Sequence, residues 1–436
     1  MLDAVAATLA GAGVARGQRL CCCLSGGVDS VVLLDILHAL QARFGYELCA
    51  AHVHHGLSPN ADDWLNFCAA LCRRRQLDFL PLRVEVLRDD PQGLEAAARR
   101  ARHAALSALG CDWLVFGHHQ DDQAETLLFR LFRGTGTTGA AAMRMSEAPA
   151  VGRAGRLRPL LDLRRSRIEH WARERGLEWV EDESNRDCRF SRNAIRHHIL
   201  PAATRVFAGA VPALARAAEQ FREADDLLDD LAALDEAACG GALLQLPQAL
   251  ALGDARLANL LRRQLRRLGA RAPARSRLLE ALRQLRQIGS GRALHLTLGE
   301  GVCCVYRGQM WLERPAAPPQ PGRWLGEARL PWADGEIVFI ATRGKGLARA
   351  AIERAAECRL LTRFDGLRLQ TDPGRPHRSF KNLCQEAGIP PWMRERLPVL
   401  VVDGKVAWIG GLGCAAGLAC PPEEAGIEPI WRPRPG

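Results

Sequence analysis

Apolar and polar positions alternate in two rhythms along the first 205 residues. Short, continuously apolar stretches mark strands buried on both faces, and each is followed by a longer stretch with helical spacing. Residues 20–24 (Leu-Cys-Cys-Cys-Leu), 47–53, 79–86 and 113–116 form the strand series. The helix series covers residues 1–15, the stretch after residue 27 with Val31 and Leu34 in its apolar stripe, 60–76 with Asn60 as cap, and 93–109. Alternation of this kind predicts an α/β fold with a parallel, doubly wound sheet carrying helices on both faces. Ligands of such sheets sit at the carboxyl ends of the strands. The polar clusters fall there: Ser25-Gly26-Gly27-Val28-Asp29-Ser30, His52-Val53-His54-His55-Gly56-Leu57 and Gly117-His118-His119-Gln120-Asp121-Asp122.

A glycine-threonine stretch, residues 133–139, reads as a loop long enough to move over a site. Arg158-Pro159-Leu160-Leu161, a helix over 164–175, Glu181-Asp182-Glu183-Ser184-Asn185 and a further helix opening at Arg192-Asn193 follow it. Near Pro201 the character changes. One long helix is predicted over 212–238, two more over 254–268 and 276–287, and short strands over 293–298, 302–306 and 310–312. Residues 315–321 hold four prolines and read as a linker. Residues 322–436 are mostly strands and turns, with one helix near 379–387. The expected division is 1–205, a mainly helical middle domain over 206–314, and a small α+β domain over 322–436.

Composition changes this picture little. An apolar share of 48% and a charged share of 25% describe an ordinary globular chain, and 436 residues suggest two or three domains. No apolar run approaches the roughly 18 residues that span a bilayer, and the start, with Asp3 and no basic residue, does not read as a signal peptide. Fifteen cysteines sit mostly in apolar strands and helices without a C-x-x-C spacing. That favours reduced thiols and a cytoplasmic location, and assigns no metal to cysteine. Charge adds more: a net +10 points to a polyanionic partner.

Candidate chemistry begins at residues 25–30. A strand, a two-glycine turn and a helix N-terminus aim backbone N–H groups at one spot, flanked by the Ser25 and Ser30 hydroxyls. A Walker loop would add a lysine for the β and γ phosphates, but the only lysines are Lys345, Lys381 and Lys405. A polyphosphate turn without lysine suits cleavage of ATP between the α and β phosphates. His118, Asp122 and Glu125 have the spacing of one helix face. Mg2+ prefers carboxylate and phosphate oxygens, so Asp29 and Asp122 are the expected ion contacts, while imidazoles suit phosphate contact or proton transfer. Arg133, Arg192 and Arg196 offer fixed positive charge for phosphate.

The loop at 25–30 resembles the pyrophosphate loop of the N-type ATP pyrophosphatases. The remaining blocks, with Arg133-Gly134-x-Gly136, Gly374-Arg375-x-His377 and Gly388-Ile389-Pro390-Pro391-Trp392-Met393-Arg394, are similar in order and spacing to the tRNA(Ile)-lysidine synthetase family. His54 departs, standing where that pattern often has asparagine. The resemblance implies a PP-loop catalytic domain over 1–205 and tRNA-binding middle and C-terminal domains. It implies a carbon–nitrogen ligase that uses ATP and Mg2+ to join free L-lysine to C2 of the wobble cytidine in tRNA(Ile) with a CAU anticodon. AMP and diphosphate leave, and codon reading changes from AUG to AUA. On this reading Ser25, Gly26, Gly27, Val28, Asp29, Ser30 and His54 hold the nucleotide. Asp29 and Asp122 hold the metal, His118 and Arg192 stabilise charge at the α-phosphate, and Asp122 or a neighbour takes the proton of the lysine amine. A homodimer is compatible with it. The alternatives are a PP-loop tRNA thiolase and a non-catalytic nucleotide- and RNA-binding module.

Overall fold

A computed structural model describes residues 1–87, 89–90, 93–181, 183, 187–189, 191–289 and 292–433, with Glu95 as backbone only. Asp182, Ser184 and Asn185 of the acidic block lie outside the described residues. The chain divides into two compact units, 1–227 and 228–436.

The first unit is built on a six-stranded sheet of order β3-β2-β1-β4-β6-β5. Its elements are α1 (Leu2–Gly11), β1 (Arg19–Cys23), α2 (Val28–Phe44), β2 (Glu47–His54), α3 (Ala61–Arg74), β3 (Asp78–Arg83), α4 (Leu94–Ser107) and β4 (Trp113–Val115). They are followed by α5 (Gln120–Phe132), α6 (Thr137–Ala140), β5 (Ser146–Glu147), β6 (Gly155–Leu157) and α7 (Arg165–Glu174). Strands β1, β2, β3, β4 and β6 run parallel, and only the short edge strand β5 is antiparallel. Alternate residues of β1 face opposite layers. Cys22 enters a core with Val31, Leu34 and Ile168, whereas Cys21 enters another with Leu106 and Phe116. Helices α2 and α7 therefore cover one face and α4 the other. Asn60 occupies the N-cap position of α3 but makes no side-chain capping bond.

Chain order places β2 on one side of β1 and β4 on the other, so strand order reverses between β1 and β4. The crevice at this switch lies outside the carboxyl ends of those strands, and both polar loops open into it. Further on, α8 (Ser191–Ala194), a π-helical turn (Ile195–Ile199) and α9 (Leu200–Val206) lead into α10 (Ala210–Ala238). The start of α10 stays with the first unit because Val211 and Ala218 bury against α5 and α6.

In the second unit, α11 (Leu246–Ala251), α12 (Asp254–Arg267) and α13 (Arg275–Gln287) accompany an antiparallel sheet. Its strands are β7 (Leu244–Gln245), β8 (Leu294–Leu298), β9 (Gly301–Tyr306) and β10 (Gln309–Glu313), and Leu257, Leu261, Leu282 and Val305 share its core. The C-terminal part contains a five-stranded and a four-stranded antiparallel sheet around Trp324, Trp332, Leu400 and Trp408. Among the described residues no single helix is long and apolar enough to cross a membrane.

Candidate active site

The turn after β1 is held by its own hydroxyls. Ser30 Oγ donates to Gly27 O at 2.9 Å and lies 3.1 Å from Ser25 Oγ, while Ser25 N donates to Ser30 Oγ at 3.1 Å. Gly27 N donates to Ser25 Oγ at 3.3 Å, and Gly27 caps α2, which places Asp29 in the first helical turn. Gly26 has φ +92°, and a Cβ there would lie 2.7 Å from Val180 Cγ2. Val180 N also donates to Gly26 O at 3.0 Å, so the loop is pressed against the segment after α7. Gly26→Ala is expected to destabilise the chain by roughly 1–3 kcal/mol and to weaken ATP binding through loop displacement. Calorimetric titration with ATP checks this, and unchanged affinity would separate the loop from the nucleotide.

From the β4 side, Gly117 must be glycine for closeness: a Cβ would meet the backbone carbon and oxygen of Asp29 at 3.0 Å. His119 caps α5. Its Nδ1 accepts from Asp122 N at 3.4 Å, and Asp122 Oδ2 accepts from His119 N at 3.1 Å. Because Nδ1 accepts, Nε2 carries the proton, and it faces Asp122 Oδ2 at 3.4 Å and Asp29 Oδ1 at 3.6 Å. One imidazole thus stands between the two carboxylates.

Asp122 and Glu125 face the α8 region. Arg192 donates Nη2 to Asp122 Oδ1 at 3.2 Å and Nε to Glu125 Oε2 at 3.0 Å. Arg196 donates Nη2 to Asp122 Oδ1 at 3.2 Å and to Glu125 Oε2 at 2.9 Å, and Nε to Glu125 Oε1 at 2.6 Å. The π-turn that begins at Ile195 lies where these guanidiniums converge, a position where such turns often occur at functional sites.

Electrostatics separate the two aspartates. Burial pushes the Asp29 carboxyl up, against the pull of His119 and Arg165. Burial acts the same way on Asp122, but His119, Arg192, His118 and Arg196 outweigh it and hold this carboxyl down at about 2.

His118 lies before α5 rather than on it, since the helix begins at Gln120; Asp122 and Glu125 therefore share a helix face without His118. The His118 ring stacks on Phe116 at 5.6 Å between centroids, and Nδ1 is buried without a hydrogen-bond partner. Burial pushes its pKa down to about 3, which favours the neutral ring at pH 7. The folded value lies below the ordinary 6.5, so the unfolded chain takes up the proton first. Stability is full above about pH 6.5 and is lost as pH falls toward 3. Wild-type Tm is expected to fall between pH 6.5 and 4, with a shallower slope in His118→Asn, as read by thermal unfolding across pH.

Other residues take different places. His52 Nδ1 lies 2.9 Å from Leu24 O and 3.5 Å from Cys68 Sγ, which makes it a structural tie between β2 and the loop after β1. His54, buried at the end of β2, has Nε2 3.3 Å from Asp62 Oδ1. Arg133 is exposed over the Phe129 ring at the far end of α5. The stretch 133–139 is no free lid: Thr137–Ala140 is helical, and Arg130 Nη1 donates to Gly139 O at 2.8 Å. His119 went unsingled in the sequence because histidine is not a usual N-cap. Glu125 carried only its place in the α5 pattern.

For a divalent cation the donor set fits. Asp29 Oδ1 is buried without a hydrogen-bond partner, and a second carboxylate sits across His119 from it.

Residues 4–203 match the PP-loop domain family, 244–311 the TilS substrate binding domain and 358–431 the TilS substrate C-terminal domain. The tRNA(Ile)-lysidine synthase of Aromatoleum aromaticum is 57% identical, over 97% of this chain and 100% of that one. Its counterpart in Azoarcus sp. is 56% identical, over 98% of this chain and 95% of that one. A solved structure of the U34-tRNA thiolase NcsA from Methanococcus maripaludis, with its [4Fe-4S] cluster, aligns at TM-score 0.44 and 18% identity, over 51% of this chain and 77% of that one. Relatives this similar across nearly the whole length place the chain by themselves: it belongs to the tRNA(Ile)-lysidine synthase family.

Proposed function

We propose that this chain ligates L-lysine to C2 of the wobble cytidine of tRNA(Ile) with a CAU anticodon, using ATP. The cytosine C2 oxygen attacks the α-phosphate, and diphosphate leaves. The ε-amine of lysine then adds at C2, AMP departs with the oxygen, and the amine gives up a proton. Family membership carries the reaction; the lysine-free turn at 25–30 beside the Asp29–His119–Asp122 group carries the assignment of residues.

In this reading Ser25, Gly26, Gly27, Val28 and Ser30 receive the diphosphate half of ATP at the N-terminus of α2. His54, at the end of the neighbouring strand, borders the nucleoside. Asp29 and Asp122 would hold Mg2+, which offsets the charge of the departing diphosphate. Neutral His118 has Nδ1 available to donate to an α-phosphate oxygen, and Arg192, pinned by Glu125, adds a fixed cation. A carboxylate held at about 2 is a weak base, so Asp122 fixes His119 and both arginines, and the lysine proton passes to another acceptor. The basic balance of the chain supports phosphate contacts to tRNA, with affinity that falls steeply as salt rises. A cytoplasmic site of action and a homodimer complete the reading.

The test follows both substrates. Purified chain, ATP, Mg2+, radiolabelled lysine and the tRNA(Ile) transcript are expected to give labelled tRNA with AMP and diphosphate in equal amounts. Release of ADP and phosphate without labelled tRNA would overturn the assignment.

A further inference from the structure

The hairpin between β9 and β10 turns at Arg307-Gly308, where Arg307 has φ +50°. Two-residue hairpins fill this left-handed position with asparagine, aspartate or glycine, and an arginine there is strained by about 1 kcal/mol. Strain of this kind persists where a side chain is wanted. Arg307 is exposed, its guanidinium lies 5.5 Å from the Tyr306 ring centroid, and it lines a cavity of about 640 Å³; its Nη2 donates to Gln385 O, which leaves the other N–H groups of the fork for an anion. Tyr306, Trp311, Gln264, Arg267 and Met393 also line that cavity.

Gln264 supplies an independent sign. It is 6% exposed, and its Nε2 donates to Glu236 Oε1 at 3.4 Å. A carboxylate only accepts, which fixes the amide orientation and leaves Gln264 Oε1 buried without a donor. The Glu236 charge is met by Arg267 Nη1 at 2.7 Å, so the cavity does not call for a cation. It calls instead for a planar group with an N–H to give and an anion beside it.

We propose that this cavity binds an unpaired ribonucleotide. Its base lies against the Tyr306 and Trp311 rings, an exocyclic amine donates to Gln264 Oε1, and its phosphate meets Arg307. Adenine, cytosine and guanine carry such an amine; uracil does not. The nucleotide comes either free from solution or from an unpaired position of bound tRNA. The second source rests on the tRNA reading above, and the first does not.

The test uses the full chain with Arg307→Gly, where glycine accepts the backbone angle, and Gln264→Met, with Tm as the check on folding. Equilibrium dialysis is expected to count two AMP equivalents on wild type and one on each variant. For tRNA(Ile), Arg307→Gly is expected to weaken binding and lower the log K against log salt slope by about one. Gln264→Met is expected to weaken it roughly five- to tenfold without changing the slope. A second AMP site with unaltered tRNA affinity selects the free source, and altered tRNA affinity without that site selects the RNA. One AMP equivalent on wild type together with unaltered tRNA affinity in both variants overturns the proposal. Failure of wild type to incorporate lysine would separately sink the functional reading.

Discussion

Asp122→Asn is expected to leave a folded chain that incorporates lysine into tRNA roughly a thousandfold more slowly. The amide keeps an oxygen that can accept from His119 N, so the cap of α5 survives in outline. Three other relations do not. The carboxylate stands opposite His119 Nε2 at 3.4 Å and receives Arg192 and Arg196, each at 3.2 Å. A neutral group cannot balance those cations, and Glu125 alone is left to hold both. Because Asp122 is ionised from about pH 2 upward in the folded chain, the loss is expected at every working pH rather than as a shifted profile. Single-turnover incorporation measured against Mg2+ concentration separates the roles. Full retention of rate and of Mg2+ dependence would remove Asp122 from charge balance and from metal binding together.

How much of this site can be read from residue order depends on whether the interaction is local. The turn at 25–30 is legible because burial on both faces, two glycines and the first helical turn are all written within ten residues. The strand ends are legible for the same reason: periodicity is a local property. Strand β6 is not, since Gly155-Arg156-Leu157 is too short to show a period and gains its place by pairing with β4 and β5. The stretch 133–139 reads as mobile because glycine and threonine fill it, but a guanidinium within α5, Arg130, ties it down. Likewise, nothing near Glu125 in sequence announces that it is 1% exposed, since its partners lie 67 and 71 positions away. Charges that neutralise one another across a fold leave no periodic trace.

That distant pairing leads to the other large effect: Glu125→Gln is expected to destabilise the first unit by roughly 3–5 kcal/mol. The side chain is 2% exposed and receives Nε of Arg192 at 3.0 Å and Nε and Nη2 of Arg196 at 2.6 and 2.9 Å. Glutamine keeps the volume, so no cavity forms, and the cost is electrostatic. Two largely buried guanidiniums lose half of their neutralising charge, and an amide NH2 is forced toward donors. For a unit of this size the loss corresponds to about 10 °C in Tm. A double variant tests the cause. If the penalty is uncompensated charge, adding Arg196→Met to Glu125→Gln should cost less than the sum of the two single changes, because one stranded cation is gone. Strict additivity, or a Tm within a degree of wild type, would mean that Glu125 fills space and that α5 is joined to the α8 region by packing around Ala124 and Ile195 instead.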